Sequence, residues 1–226
     1  MPPTLDQQAK LLASFESQTH EIEIFMSAVR KWFDTHPRLR SRRDAAIHSV
    51  KSRLKDREHF CEKIGRKWDD GNPITPDNLF RVITDLAGVR VLHLYQEQFA
   101  AIHREIMDKI NIAKDWALDE PPKAYSWDPE SRAFFEKQSI DVEIKESFYT
   151  SVHYLVRPRA DSPLCCEIQV RTLFEEIWGE VDHILNYPKE CEEVACREQL
   201  RVLAKLVGAG SRLVDSVFRT WNARAK

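Results

Sequence analysis

The sequence predicts an α+β fold: a mixed β-sheet of about four to five strands packed by helices, with further helices at both ends. Three observations predict it. Apolar residues recur at helical spacing near the start, at Leu11, Leu12, Phe15, Ile22, Phe25, Val29, Trp32 and Phe33, and helical patterning returns after residue 191. Strand-like alternation is confined to residues 87–172. Within that stretch strands and helices are interspersed, so the chain reads as helices, then a helix–strand core, then helices.

Residues 5–34 read as one long amphipathic helix or two, ended by Pro37. A second helix is expected over roughly 42–67, from RRDAAIHSV through KDREHFCEKIGRK. After the turn DDGNP, TPDNLFRVIT starts a helix with Thr75 as N-cap and Pro76 at the first helical position. AGVRVLHLY is the first clear strand. Val89, Val91, His93 and Tyr95 face one way and Arg90, Leu92 and Leu94 the other, which suits a central position under helices. Helix FAAIHREIMDKI, the loop DWALDEPPKAYSWDPE and a short helix SRAFFEKQ follow. IDVEIKES and YTSVHYLVRP are strands near enough in sequence to form an antiparallel pair. LCCEIQVRT is another strand, and LFEEIWGEVDHIL a helix stopped at Asn186-Tyr187-Pro188. Residues 191–225 are one or two helices with a break at Gly208 and Gly210. Three segments result: a helical 1–41, a core 42–190 and a helical extension 191–226.

Composition narrows the class. Apolar residues make up 42% and charged residues 31%, with a formal net charge of -2, so an ordinary globular core is affordable and no global basic field announces nucleic acid. The charge is clustered: RLRSRR, KSRLKDR and KIGRK make residues 38–67 basic, which suits a small phosphorylated ligand better than a long duplex. Five cysteines, none in a C-x-x-C pair, read as reduced buried residues, with Cys165 and Cys166 alternating across a strand. With no signal peptide and no run of eighteen apolar residues, a cytoplasmic protein without a membrane span is expected.

The chemistry-bearing residues fall on strand faces. In LCCEIQVRT, Leu164, Cys166, Ile168 and Val170 make a core face, and Cys165, Glu167, Gln169 and Arg171 a polar one. The next helix adds Glu176, Glu180 and His183. In YTSVHYLV, Tyr149, Ser151 and His153 share a face able to stack a base and contact phosphates. On the expected second helix, Lys55, His59, Lys63 and Arg66 are spaced 4, 4 and 3, stacking like charges that an anion would neutralise. Asp85 precedes an apolar run, where a carboxylate needs a pairing partner or a metal.

Taken together, RLKDREHFCEK with Arg53, Lys55 and Lys63, TDLAGVRV with Asp85 and Arg90, YTSVHY, EIQVRT, and DHILNY with His183 and Tyr187 are colinear over roughly residues 48–190. In this order they resemble the synthetase domain of RelA/SpoT-type alarmone synthetases. The resemblance implies a polymerase-beta-like nucleotidyltransferase core and a pyrophosphokinase that moves the β,γ-pyrophosphate of ATP to the ribose 3′-hydroxyl of GDP or GTP, releasing AMP. It implies Mg²⁺ as cofactor, with Asp85 holding it and Glu167 binding it or accepting the hydroxyl proton. Arg53 and Arg90 would stack on the donor adenine, and Lys55, Lys63 and Arg66 would grip the donor phosphates. Tyr149 would stack on the acceptor base beside Ser151, His153, Gln169, Arg171 and His183.

The chain departs from the family at two places. His59 stands where the family usually has Ser. In VEIKESFYTS, Ser147 and Phe148 stand for an Asn-Gly within a Lys-rich loop that touches the acceptor, so Lys145 or Lys123 is a candidate replacement contact. The acceptor therefore stays open among GDP/GTP, adenine nucleotides and the 3′ end of tRNA, the last kept open by the basic Arg38–Arg43 stretch. A non-catalytic nucleotide-binding module is the alternative outside enzymology. By analogy, the terminal helices leave room for a homo-oligomer or an antitoxin partner.

Overall fold

The computed structural model describes residues 2–41, 44–187 and 189–224; Arg42, Arg43 and the expected helix stop Pro188 lie outside them. The elements run α1 (Leu5–Asp34), β1 (Ser49–Leu54), α2 (Arg57–Lys67), α3 (Leu79–Val82), β2 (Ala87–His93), α4 (Gln98–Asn111), β3 (Ala117–Leu118), β4 (Lys123–Tyr125), α5 (Pro129–Lys137), β5 (Asp141–Glu143), β6 (Ser151–Arg157), β7 (Cys166–Thr172), α6 (Leu173–Asn186) and α7 (Val194–Ala223).

One mixed sheet organises them, in the order β1-β2-β7-β6-β4-β5 with β3 also on β6. The pairs β2–β7 and β4–β5 are parallel and the others antiparallel. Side chains alternate across it. Val50, Val89, Val91, Ile168, Val170, Val152, Tyr154 and Ala124 point to one side and are buried. That side is covered by α1, whose Leu11, Phe15, Ile22, Val29 and Phe33 join the same core, and by α4 through Phe99, Ile102 and Ile106. A Thr4–Gln7 capping box starts α1. Stacked rings of Phe15 and Phe60, 4.6 Å apart, tie α1 to α2. The other side of the sheet carries the polar residues and is walled by α6, against which α7 packs.

Five sequence expectations are corrected. The helix over 42–67 is instead a strand and a helix. Residues 49–54 pair with β2, and α2 begins only after Asp56, whose side chain caps the amide of His59 at 3.0 Å. The 4, 4, 3 spacing followed charge rather than buried apolar residues, so it carried no helical information, and Lys55 is not on a helix. The helix expected from Thr75 begins three residues later. The Asn78 side chain accepts from the Thr75 amide at 2.7 Å, so Thr75 and Pro76 belong to a turn.

The sheet has seven strands because β1, β3 and β4 were not read as strands. In addition, β5 pairs parallel with β4, not antiparallel with β6, since β4 lies between them. Finally, α7 runs unbroken through Gly208 and Gly210. A Cβ on Gly210 would lie 2.8 Å from the Phe174 ring, so this glycine permits close approach of α6 and α7 rather than a break. Tyr95 and Tyr149 fall just outside β2 and β6. Cys165 and Cys166 are both buried, and the five cysteines are free.

Candidate active site

The polar side of the sheet is assembled by register. Arg53 lies opposite Gly88 and Lys51 opposite Arg90 across β1–β2. Gly88 and Arg90 pair with Glu167 and Gln169 across β2–β7. His153 of β6 pairs with Gln169 from the other side. Because residues i and i+2 share a face, these strands present a continuous row of charged and polar groups. They floor a cleft of about 640 Å³ walled by the later turns of α6, with Asp182, His183 and Asn186, and by Tyr187.

Asp85 enters the cleft just before β2. Its Oδ2 accepts from Lys63 Nζ at 2.9 Å and pairs with Lys55 Nζ at 3.2 Å. Burial pushes its pKa up, but the two ammonium groups outweigh burial and hold the carboxyl below its ordinary value. Asp85 Oδ1 is buried with no hydrogen-bond partner, an exception to the usual satisfaction of buried polar atoms.

Glu167, 17 % exposed, is held on both oxygens: His153 Nδ1 lies 3.0 Å from Oε1, and Gln169 Nε2 donates to Oε2 at 2.6 Å. Burial raises its pKa, yet the hydrogen bonds from His153 and Gln169 and the His153 charge hold it below the ordinary value, against an opposing push from Asp85. Asp85 and Glu167 both line the same cleft.

The chain of bonds continues. Tyr149 OH lies 2.9 Å from His153 Nε2. Burial keeps the phenol protonated by raising its pKa. Tyr149 and Glu167 thus bracket the two ring nitrogens of His153 and fix the orientation of the imidazole. Tyr125 stands edge-on to the His153 ring, with centroids 4.8 Å apart.

On the opposite flank, α6 supplies acids. Glu176 is buried and pairs with Arg171, accepts from Lys51 at 2.8 Å, and lies 3.4 Å from Arg90. Arg90 also donates to Glu180 at 2.7 Å. Burial alone would raise the Glu176 pKa, but Arg171, Lys51 and Arg90 drive it well down. A Cβ at Gly179 would lie 2.8 Å from Arg171 Nη1, so glycine there lets this guanidinium lie against α6. Tyr187 stacks between His59 and His183, at 5.3 and 4.7 Å, and donates to Glu62, joining α2 to the end of α6.

Of the expected site residues, Arg53, Lys55, Asp85, Arg90, Tyr149, Glu167, Gln169, Arg171 and His183 line the cleft, and Lys63 and His153 join it through Asp85 and Glu167. Three are not brought in. Arg66 is exposed on α2 and does not line it. Ser151 is buried, its hydroxyl 3.4 Å from the Val170 carbonyl. Lys145 pairs with Glu143, which also takes Lys123 at 3.6 Å, and lies over the Tyr125 ring. Arg171 turns to Glu176 and the Tyr149 ring rather than to Glu167. The sequence reading missed Lys51, Asp182 and Asn186. Lys51 was readable only once residues 49–54 were recognised as a strand, where it shares a face with Arg53.

Among the described residues no group of three His, Cys, Asp or Glu side chains could cage a metal. Asp85 with its orphaned Oδ1, and Glu167 on the neighbouring strand, fit instead an ion such as Mg²⁺ that binds one or two carboxylates and completes its shell with phosphate oxygens and water. Among the described residues no helix is long and apolar enough to cross a membrane.

Comparison with known proteins gives concordant findings. Residues 52–192, more than half of the chain, match the family described as a region found in RelA / SpoT proteins. The chain is 23% identical over 219 residues to GTP pyrophosphokinase YjbM of Bacillus subtilis (strain 168), covering 93% of this chain and 87% of that protein. The crystal structure of small alarmone synthetase 1 from Bacillus subtilis superposes with a TM-score of 0.69 at 17% identity, covering 92% of this chain and 98% of that one. The same synthetase bound to its product pppGpp gives 0.62 at 18% identity, covering 96% and 99%. The fold is thus that of the small alarmone synthetases.

Proposed function

This chain belongs to the RelA/SpoT family, and on that footing we propose that it is a Mg²⁺-dependent pyrophosphokinase that transfers the β,γ-pyrophosphate of ATP to the 3′-hydroxyl of GDP or GTP. The observation that carries the proposal is the meeting, in one cleft, of a carboxylate just before β2 and one on the neighbouring β7, with two lysines on the first and an aromatic residue near the second. The related GTP pyrophosphokinase and the synthetase bound to pppGpp support a guanine nucleotide as acceptor.

Lys55 and Lys63 take the donor phosphates, leaving Asp85 for the metal. Arg53 and Arg90, on adjacent strands, take the two faces of the adenine. Tyr149 stacks on the acceptor base. Glu167 is ionised in this environment, as either metal binding or acceptance of the hydroxyl proton requires. Mg²⁺ held by Asp85 and Glu167 supplies charge neutralisation at the phosphate oxygens and acidifies the attacking hydroxyl. In-line transfer then needs little beyond positioning and cationic groups around the migrating unit.

Two arginines of the basic stretch that kept a tRNA acceptor open have partners within the chain, while Arg42 and Arg43 lie outside the described residues. Arg38 pairs with Glu105, and Arg40 with Asp34 and the carbonyls of Ile47 and His48. The test is a panel of GDP, GTP, ADP, ATP and tRNA with γ-labelled ATP and Mg²⁺. The proposal predicts label on GDP and GTP with release of AMP; label on tRNA alone, or on none, contradicts it.

A further inference from the structure

Phe148, immediately before Tyr149, has a φ of 62°. That region is open to glycine and unfavourable for a bulky side chain, so such a residue persists only where its surroundings hold it. Here they do. The Phe148 ring meets Trp127 edge-on with centroids 5.0 Å apart. Both pack on the cluster of Trp178, Leu200, Ala204 and Val207 between α6 and α7, leaving a void of only about 20 Å³. Trp127 is itself held from α7: Arg212 donates to Asp128 at 3.1 Å, and Asp128 caps α5 through Ser131. On the other side of Tyr149, the Thr150 hydroxyl lies 3.1 Å from that of Ser126 in a buried pair.

Tyr149 is therefore set between two anchors. Its ring meets the cleft, its hydroxyl reaches His153, and its backbone entry angle is imposed by the kink at Phe148. Glycine would accept that kink freely but would not fix it, because its backbone reaches many other conformations.

We infer that Phe148 is a positioning residue for Tyr149, and that α7, acting through Trp127 and Val207, sets the affinity of the cleft for the acceptor base. This rests on the reading of Tyr149 as the acceptor-stacking residue and extends it to a helix that touches no substrate. It also gives the departure at this position a physical content: a ring clamped to α7 does the work of ordering the acceptor segment.

The test compares Phe148→Gly and Phe148→Tyr with wild type in steady-state transfer, GDP binding by calorimetry and backbone hydrogen exchange. Phe148→Gly keeps the kink accessible and removes the clamp. It is expected to raise the acceptor KM and the GDP Kd by about tenfold, the size of one lost base stack, with kcat and donor KM within about twofold. Exchange should rise across residues 146–150 without a change in the β2–β7 core. Phe148→Tyr should restore acceptor KM to within about threefold of wild type. Unchanged acceptor KM in Phe148→Gly, or a fall in kcat with KM constant, overturns the inference while leaving the pyrophosphokinase reading intact. Wild-type protein that neither transfers label nor binds GDP overturns both.

Discussion

On the side of the cleft proposed for the donor, four of the cations are already paired with a carboxylate of the chain: Lys55 and Lys63 with Asp85, Lys51 and Arg90 with Glu176 and Glu180. On the side proposed for the acceptor the groups are an aromatic ring and an imidazole, held by a hydrogen-bonded chain to Glu167 and by packing that reaches α7. The difference teaches how each half is kept ready. Cations gathered for a polyphosphate repel one another, and internal acids hold them in place until the ligand replaces those acids. A base-stacking ring has no charge to balance, so its position must come from packing, and here that packing is remote.

The contrast can be broken by substitutions that act on one half and spare the other. The largest effect is expected at Glu167, where the halves meet. Glu167→Gln keeps hydrogen-bonding groups yet loses the charge, and should lower single-turnover transfer by about 10³-fold or more, with nucleotide affinities by calorimetry changed only a few-fold. Lys63→Met removes a charged contact from the donor side and should raise donor KM by about 30-fold or more while acceptor KM stays constant. It also weakens the opposition to burial at Asp85, moving that carboxyl's pKa upward and the acid limb of the pH–rate profile with it. Tyr149→Ala should give the mirror image, with acceptor KM raised about tenfold and donor KM unchanged.

The smallest effect on turnover is expected at Glu175, beside the Phe148 void, where the consequence is for stability. Its carboxyl forms the capping box of α6 with Thr172, and burial pushes its pKa up to about 7. A carboxyl whose folded pKa is raised contributes stability that is fully present below its ordinary value and is lost as pH rises toward 7. Glu175→Gln keeps the acceptor oxygen for the Thr172 amide and removes the titration. Thermal melts should show little difference at pH 4.5 and a variant about 5 °C more stable at pH 8. A Tm difference that does not grow between those pH values contradicts this.

Legibility in the sequence followed the same divide. Arg90, Glu167 and Gln169 were readable because β2 and β7 are long alternating strands whose faces follow from period two, and Asp85 because it is a carboxylate set just before the apolar run of β2. The α6 start was readable from its apolar pattern. Residues 49–54 were misread because basic side chains on an edge strand dilute the apolar alternation. The better signal was local: Asp56 caps the His59 amide and so marks where α2 begins. The strands β3 and β4 span two and three residues and exist only through partners distant in sequence. Nothing local in ESFYT demands a positive φ of a phenylalanine; Trp127 and α7 impose it.

The central claim is that Asp85 and Glu167 share one divalent ion opposite the lysines that hold the donor. Mn²⁺ titrated into the protein with a non-hydrolysable ATP analogue, and followed by electron paramagnetic resonance, tests it most directly. The account predicts one bound ion per chain, weakened about tenfold or more in both Asp85→Asn and Glu167→Gln. Equal Mn²⁺ affinity in wild type and the two variants would contradict it.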